Sequence, residues 1–442
     1  MSRQHKKKLA QEPIEAQITE LNHEGRGVCH LDGKVTFVRG ALAGERVRFI
    51  YTKKRRAFDE GQVVEVLQAS PERTAPPCAA AGVCGGCSLQ HLSPHAQIAH
   101  KQQILLEQLR HFGQVQPKNL LAPILGPTLA YRSKARLAVR YVQKKERVLV
   151  GFREVGKGFV ADLGGCPILI AKVGGLFPQL ADLIASLSVY QQIPQIEVAA
   201  GDQEIGLIFR HLAPLTDLDL QRLATWGAKN EIHIYLQPGG AESVQGLLET
   251  TPDTLSYGLA EQDLRLHFKP NEFTQINYEL NEKMVNHTLS LLALDSEDCL
   301  LDLFCGVGNF SLPAARYADE VIGVEGAEGA VARAKENAQR HDIRNAQFYC
   351  ADLAKEVTGE DWTKAQYNKV LLDPPRTGAA QLLSQISLRQ VKKLVYVSCN
   401  AATLARDAGI LTELGLTLRD AGVMDMFPHT AHVESIACFV RE

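Results

Sequence analysis

The sequence predicts an α/β protein whose carboxyl-terminal part is a mostly parallel, seven-stranded sheet covered by helices, preceded by a small β-barrel and a mixed α/β segment. Three observations lead there. From residue 281 onward short apolar runs alternate with helical patterns, as in parallel strands joined by crossover helices. Before residue 70, short alternating runs are broken by Gly33, Gly40, Gly44 and Gly61, which suits a small barrel. A chain of 442 residues exceeds one ordinary core, so three domains are expected, at 10–70, 76–265 and 266–442.

Composition narrows the class. With 45% hydrophobic and 22% charged residues, the chain is neither disordered, collagen-like nor a coiled coil. No apolar run is long enough to span a bilayer, and the basic stretch Met1–Lys8 lacks the apolar segment of a signal peptide, so a cytoplasmic protein is expected. In that compartment ten cysteines point to metal binding, nucleophilic chemistry or burial before disulfides. The net charge of -2 hides an asymmetry: residues 1–150 hold 24 Lys and Arg against 12 Asp and Glu. The basic runs Lys6-Lys7-Lys8, Lys53-Lys54-Arg55-Arg56 and Arg132 to Arg147 imply a polyanion partner, a nucleic acid.

The barrel strands are expected at Glu15–Leu21, Gly25–Leu31, Lys34–Val38, Arg46–Thr52 and Gly61–Leu67, with Pro71, Pro76 and Pro77 in the linker that follows. Phe37, Phe49, Tyr51 and Phe58 serve either as its core or as platforms for bases. This segment resembles a TRAM domain, an RNA-binding barrel attached to RNA-modifying enzymes. Central helices are expected at Pro94–Phe112, Val173–Leu187 and Asp217–Ala228, with strands at Lys134–Val142, Ile196–Ala200 and Glu204–Arg210. The last seven strands are expected at Cys299–Phe304, Glu320–Glu325, Ala346–Cys350, Lys369–Asp373, Lys393–Ser398, Thr417–Gly422 and Ser435–Val440. Ligands bind at the carboxyl ends of such strands.

Leu301-Asp-Leu-Phe-Cys-Gly-Val-Gly-Asn-Phe310 is a buried strand running into a Gly-rich turn that opens a helix. Ser311 stands where a dinucleotide fingerprint has its third glycine, which argues against a nicotinamide or flavin cofactor. Glu325 ends the next strand, placed for ribose hydroxyls, and Asp352 follows the third, placed for an adenine edge. These elements look like a class I methyltransferase binding S-adenosylmethionine.

Asp373-Pro-Pro-Arg376 follows the fourth strand; Arg376 stands where amino-group methyltransferases carry an aromatic. Cys399, in Val397-Ser-Cys-Asn400, follows the fifth strand where a sheet presents ligand-binding groups. Cys29, Cys299, Cys350 and Cys438 read as inert core, and Cys305 as lining the cofactor pocket. A nucleophile is what methylation of pyrimidine C5 demands, since that carbon becomes reactive only after a thiolate adds at C6. A base must then remove the C5 proton, and Glu434, opening the last strand, is the best-placed carboxylate.

Leu301–Phe310, Asp373–Arg376, Val397–Asn400, Met426–Ser435 and Asn271–Asn277 together resemble the signatures of the bacterial RNA uracil-C5 methyltransferases. The resemblance implies that Cys399 is the nucleophile and Glu434 the base, and that Phe273 lies at the target base. It also implies cofactor contacts for Gln275, Phe304, Asn309, Glu325, Asp352 and Asp373.

Cys78-x5-Cys84-x2-Cys87, with Cys166 downstream, forms a four-thiolate set on Gly-rich loops that suits zinc or an iron–sulfur cluster, and the spacing alone decides neither. Resemblance to the ribosomal branch of the family implies a [4Fe–4S] cluster that shapes the RNA surface. It further implies one particular uridine of 23S ribosomal RNA as target, in protein-poor RNA, and a monomeric enzyme. A different 23S uridine, a transfer-RNA uridine, a base amino-methyltransferase and a non-catalytic RNA-binding protein are the alternatives.

Overall fold

The computed structural model describes residues 12–441 apart from residue 358. It divides into two compact units: residues up to Lys101 with Phe427–His432, and Gln102–Met426 with the residues from Val433 onward. The run Lys6-Lys7-Lys8 lies outside the described residues.

In the first unit six strands make one sheet: Ile14–Gln17, Glu20–Leu21, Gly27–Leu31, Lys34–Arg39, Arg46–Lys54 and Asp59–Gln68. The expected first strand is two, because Ile18 breaks the ladder by donating its N–H to Glu45 O at 2.8 Å. Ala16, Ile18, Cys29, Val38, Ala41, Val47 and Phe49 form the barrel core. Gly61 is required there, since a Cβ would collide with the Phe49 ring. The other aromatics are half-buried under cations: Lys54 lies 4.1 Å from the Tyr51 ring centroid and Arg55 5.1 Å from that of Phe58. Only Phe49 is therefore core, while Phe37, Tyr51 and Phe58 keep an accessible edge. Buried Glu45 accepts from Arg73 Nη2 at 2.7 Å and Leu42 N at 2.8 Å, tying the segment past the barrel to its base. Burial works to raise this carboxyl, but Arg73 and the N–H donors outweigh it and hold it below its ordinary value.

In the second unit a central six-stranded sheet runs in the order Gln245–Gly246, His233–Gln237, Ile205–Arg210, Gln195–Ala200, Lys134–Val142, Arg147–Gly151. Lys134–Val142 has the expected limits because it alternates: Ala135, Leu137 and Val139 enter the core while Arg136 and Arg140 face out. Arg147–Gly151 and His233–Gln237 were not expected, since each buries four of five residues and shows no alternation. The expected helix Val173–Leu187 is two helices, Ala171–Gly174 and Phe177–Ser186; Gly174 packs so close to the Cys166 carbonyl that it has no room for a Cβ.

The last sheet contains β1 (Cys299–Leu303), β2 (Glu320–Glu325), β3 (Ala346–Cys350), β4 (Lys369–Leu372), β5 (Lys393–Ser398), β6 (Thr417–Met424) and β7 (Glu434–Val440). Their order is β3-β2-β1-β4-β5-β7-β6, with β1 to β5 parallel and β7 antiparallel to both neighbours. An eighth strand, Asn119–Leu120, adds parallel to β6 and corrects the expected count of seven. Two residues are too few to leave a periodic signal. No helix among the described residues is long and apolar enough to cross a membrane.

Candidate active site

The carboxyl ends of β1, β2, β4 and β5 converge on one edge, as parallel strands must. After β1, Phe304, Gly306 and Gly308 all take positive φ, at 68°, 56° and 93°. The turn is anchored by Phe304 N to Val324 O at 2.8 Å and Gly306 N to Glu325 Oε2 at 3.2 Å. A Cβ on Gly306 would meet nothing within 4 Å, so the turn borders open space where a ligand can approach the backbone. Glu325 Oε1 also accepts from Ala327 N at 2.9 Å, which orients the carboxylate while leaving lone pairs for hydroxyl donors.

Beneath the turn lies a residue the sequence reading missed. Asp302 is fully buried, is hydrogen-bonded by Ser311 Oγ, and leaves its Oδ1 without a hydrogen-bond partner. Burial, opposed in part by the Ser311 hydroxyl and reinforced by Glu325, pushes its carboxyl up to about 7. Asp373, just past β4, is also pushed up to about 7 by burial and by Asp302 and Glu325. Three acids crowding one turn are relieved by a cation, so the site fits a cofactor carrying sulfonium and ammonium charges. Asp302 gave no sequence signal because it sits mid-strand in a motif read for its glycines.

Asn309 is built into a side-chain network. Its Oδ1 accepts from Tyr257 Oη at 2.8 Å and Asn281 Nδ2 at 2.9 Å, and its Nδ2 donates to Asn281 Oδ1 at 2.9 Å. Asp352 is exposed and turned onto its own loop, accepting from Ala354 N at 3.1 Å and pairing with Lys355 at 3.1 Å. Gln275 is half-buried, and Phe273 is 75% exposed at the tip of the loop 271–277.

Cys399 lies between β5 and the helix Ala401–Glu413, whose first turn is capped by Asn400 Oδ1 accepting from Ala402 N at 3.1 Å. Asn400 Nδ2 also donates to Arg376 O at 3.0 Å, tying the cysteine turn to the loop after β4. Burial pushes the Cys399 thiol up to about 11, with Glu434 and Asp373 raising it further and Arg376 pulling it down. Arg376, which the sequence offered only as a missing aromatic, is thus a cation acting on the thiol. Glu434 is buried at the start of β7, opposite Met424 of β6. A thiol, a carboxylate and an arginine at the mouth of an acidic, glycine-lined turn can support addition to an electron-poor ring and subsequent proton removal.

Two expectations are revised. Cys350 is exposed and Cys299 half-buried, so neither is inert core; Cys29 and Cys438 are buried. Among the described residues no group of three or more His, Cys, Asp or Glu side chains is placed to hold a metal ion. Backbone bonds of the turn, Ala81 N to Cys78 O at 3.0 Å and Cys84 N to Ala80 O at 2.9 Å, fix the spacing of Cys78 and Cys84.

Known proteins place this arrangement. The family profile described as tRNA (Uracil-5-)-methyltransferase matches residues 247–441, and that of the TRAM domain matches 11–67. The solved tRNA (uracil-54, C5)-methyltransferase of Pyrococcus abyssi shares the fold over 97% of this chain and 100% of its own, with TM-score 0.73 and 23% identity. Fold and site define a class I S-adenosylmethionine-dependent methyltransferase with an amino-terminal TRAM domain. The 23S rRNA (uracil(1939)-C(5))-methyltransferase of Alkalilimnicola ehrlichii is 51% identical over 99% of this chain and 98% of its own. That of Nitrosococcus oceani is 53% identical over 98% of this chain and 97% of its own. The chain belongs to the RNA uracil-C5 methyltransferase family.

Proposed function

We propose that the protein methylates C5 of uridine 1939 in 23S ribosomal RNA, the target printed in the names of its full-length relatives. The observation that carries the chemistry is the placing of Cys399 and Glu434 at facing ends of β5 and β7, beside the acidic turn after β1. Cys399 gives up its thiol proton to solvent and adds as thiolate to C6 of the uracil, forming a C–S bond as the C5–C6 π electrons move toward C5 and O4. S-adenosylmethionine supplies the methyl group to C5, its sulfonium–methyl bond breaking to leave S-adenosylhomocysteine. Glu434 then takes the C5 proton, the C5–C6 double bond re-forms, and Cys399 departs as thiolate.

Around this centre Glu325 meets the ribose, Phe304, Gln275, Asn309, Asp352 and Asp373 complete the cofactor site, and Phe273 meets the target base. Asp302, buried under the turn, supports the cofactor's positive charge. The barrel and the basic face of Lys134–Val142 grip the RNA, which the enzyme meets as a cytoplasmic monomer on protein-poor large-subunit RNA. We further propose a [4Fe–4S] cluster on Cys78, Cys84, Cys87 and Cys166 that shapes the RNA-binding surface. Its support is the four-thiolate spacing, the left-handed Gly82, and the Gly86 N–H donated to Cys84 Sγ at 3.4 Å.

The experiment for the nucleophile uses RNA carrying 5-fluorouridine at the target. Fluorine at C5 cannot leave as a proton, so wild type with S-adenosylmethionine should form a denaturation-resistant complex and Cys399→Ala none. A fully active Cys399→Ala enzyme removes this reading.

A further inference from the structure

Residues 272–276 form an arch with Phe273 near its crown, and two consecutive residues hold its feet: Ser133, just before the strand Lys134–Val142, and Lys134, its first residue. At one foot Ser133 donates twice to Ile276 O, from its backbone N–H at 2.8 Å and from its Oγ at 2.9 Å. At the other foot Lys134 Nζ donates to Glu272 O, the carbonyl of the peptide bond that leads into Phe273. Glu272 is fixed in turn: Lys269 N donates to its Oε2 at 2.6 Å, and Arg333 Nε stands 3.7 Å from the same oxygen. We infer that Lys134 is a positioning residue for base capture, holding the arch so that Phe273 is presented to the target uracil in one orientation.

The inference rests on the reading of Phe273 as the residue that meets the base. Phe273 is 75% exposed, so its direction is set by the backbone that carries it. The support is stiff: Ser133 is buried and its carbonyl accepts from Ala200 N at 3.1 Å, and Lys134 opens a nine-residue strand that pairs with Gln195–Ala200. With both feet held on it, the arch has little freedom to tilt.

The lysine is also chemically unusual. Burial pushes its ammonium down to about 8, against the pull of Glu197 and Glu272, with Arg136 adding to the depression. The Phe268 ring centroid lies 6.0 Å from Nζ and completes its surroundings. Below about pH 8 the bond to Glu272 O is charge-assisted, and above it that bond weakens. Base capture should therefore lose strength on the alkaline side through Lys134.

The test compares Lys134→Met, Lys134→Arg, Phe273→Ala and the Lys134→Met/Phe273→Ala double variant. KM for RNA, kcat and S-adenosylmethionine affinity are measured from pH 6.5 to about 9.5, the range that brackets the shifted lysine. Lys134→Met should raise KM for RNA roughly tenfold with cofactor affinity unchanged, since misplacing a reactant is costly. Its alkaline limb near pH 8 should disappear, whereas Lys134→Arg should keep activity and move that limb upward. In the double variant the two losses should be less than additive, because both act on one event. Additive losses, or an unchanged KM in Lys134→Met while Phe273→Ala is impaired, would overturn the role of Lys134 alone. A fully active Phe273→Ala would instead remove the reading on which it rests.

Discussion

Cys399 and Glu434 flank the last rung of the β5–β7 ladder, and the Glu434 charge reaches the thiol. The register pairs Val397 with Ile436 and Ser398 with Ser435, the last rung; Cys399 follows that rung on one side and Glu434 precedes it on the other. Ser435 Oγ donating to Ser398 O at 3.3 Å locks the last paired rung, and the Glu434 charge acts on the thiol. The relationship also explains the resting thiol: beside a carboxylate and partly buried, Cys399 stays protonated until substrate arrives.

Cofactor affinity should depend on pH through Asp302 and Asp373, both pushed up to about 7. Above that value they are carboxylates and favour a cation; as pH falls through about 7 they protonate and that attraction is lost. S-adenosylmethionine binding by calorimetry should weaken from pH 8 to pH 6, and Asp373→Asn should bind weakly with a flatter profile.

Asp219 tests the stability of the central segment. It is fully buried and accepts from Ser188 N at 2.8 Å, Ser188 Oγ at 2.5 Å, Thr216 N at 3.0 Å and Thr216 Oγ1 at 2.7 Å. Burial works to raise its carboxyl, yet the Ser188 and Thr216 donors win and hold it far below the ordinary range. Asp219→Ala should cost about 2–3 kcal/mol by denaturant unfolding at pH 7, from the lost cap and stranded donors. Because the folded-state value is depressed, this stabilisation is fully present above the ordinary carboxylate value and is lost as pH falls below it. The gap between wild type and variant should narrow accordingly.

Lys54 and Arg55 lie over Tyr51 and Phe58 on the barrel. Lys54→Gln/Arg55→Gln should weaken RNA binding and reduce the slope of log affinity against log salt by roughly one to two, from lost counterion release. Cofactor affinity should not move. An unchanged slope, read by filter binding across salt, removes the barrel from the RNA grip.

Anaerobically purified protein should be brown and contain iron and acid-labile sulfide, and Cys84→Ser should be colourless. One equivalent of zinc without sulfide contradicts the cluster.

Legibility in the sequence followed the physics of each element. Strands β2, β3 and β5 have their expected limits, because short apolar runs bounded by turns leave little freedom. In the hairpin of Leu255–Leu259 with Leu264–Phe268, the first strand buries four of five residues and shows no alternation, while the second alternates over only five residues beside the expected domain boundary. At the site, Cys399, Glu434 and Glu325 were readable as residues just past or at strand ends. Their support was not: Asn281 and Tyr257 behind Asn309 and Lys134 under the Phe273 arch are joined by contacts across long sequence separations, while Asp302 sits mid-strand in a motif read for its glycines. Asp352 shows the converse, a position readable from the motif whose carboxylate the fold turns onto Lys355.

The central claim, that Glu434 removes the C5 proton after Cys399 has added and the methyl has moved, is tested by Glu434→Gln with ordinary uridine RNA and methyl-labelled cofactor on a denaturing gel. The amide keeps the shape of the buried carboxylate and lacks its basicity, so addition and methyl transfer should proceed while release stalls. A covalent protein–RNA adduct carrying the labelled methyl should accumulate in Glu434→Gln, appear only fleetingly in wild type, and be absent from the Glu434→Gln/Cys399→Ala double variant. Turnover of Glu434→Gln at the wild-type rate with no labelled adduct would contradict the account and leave the proton to another base.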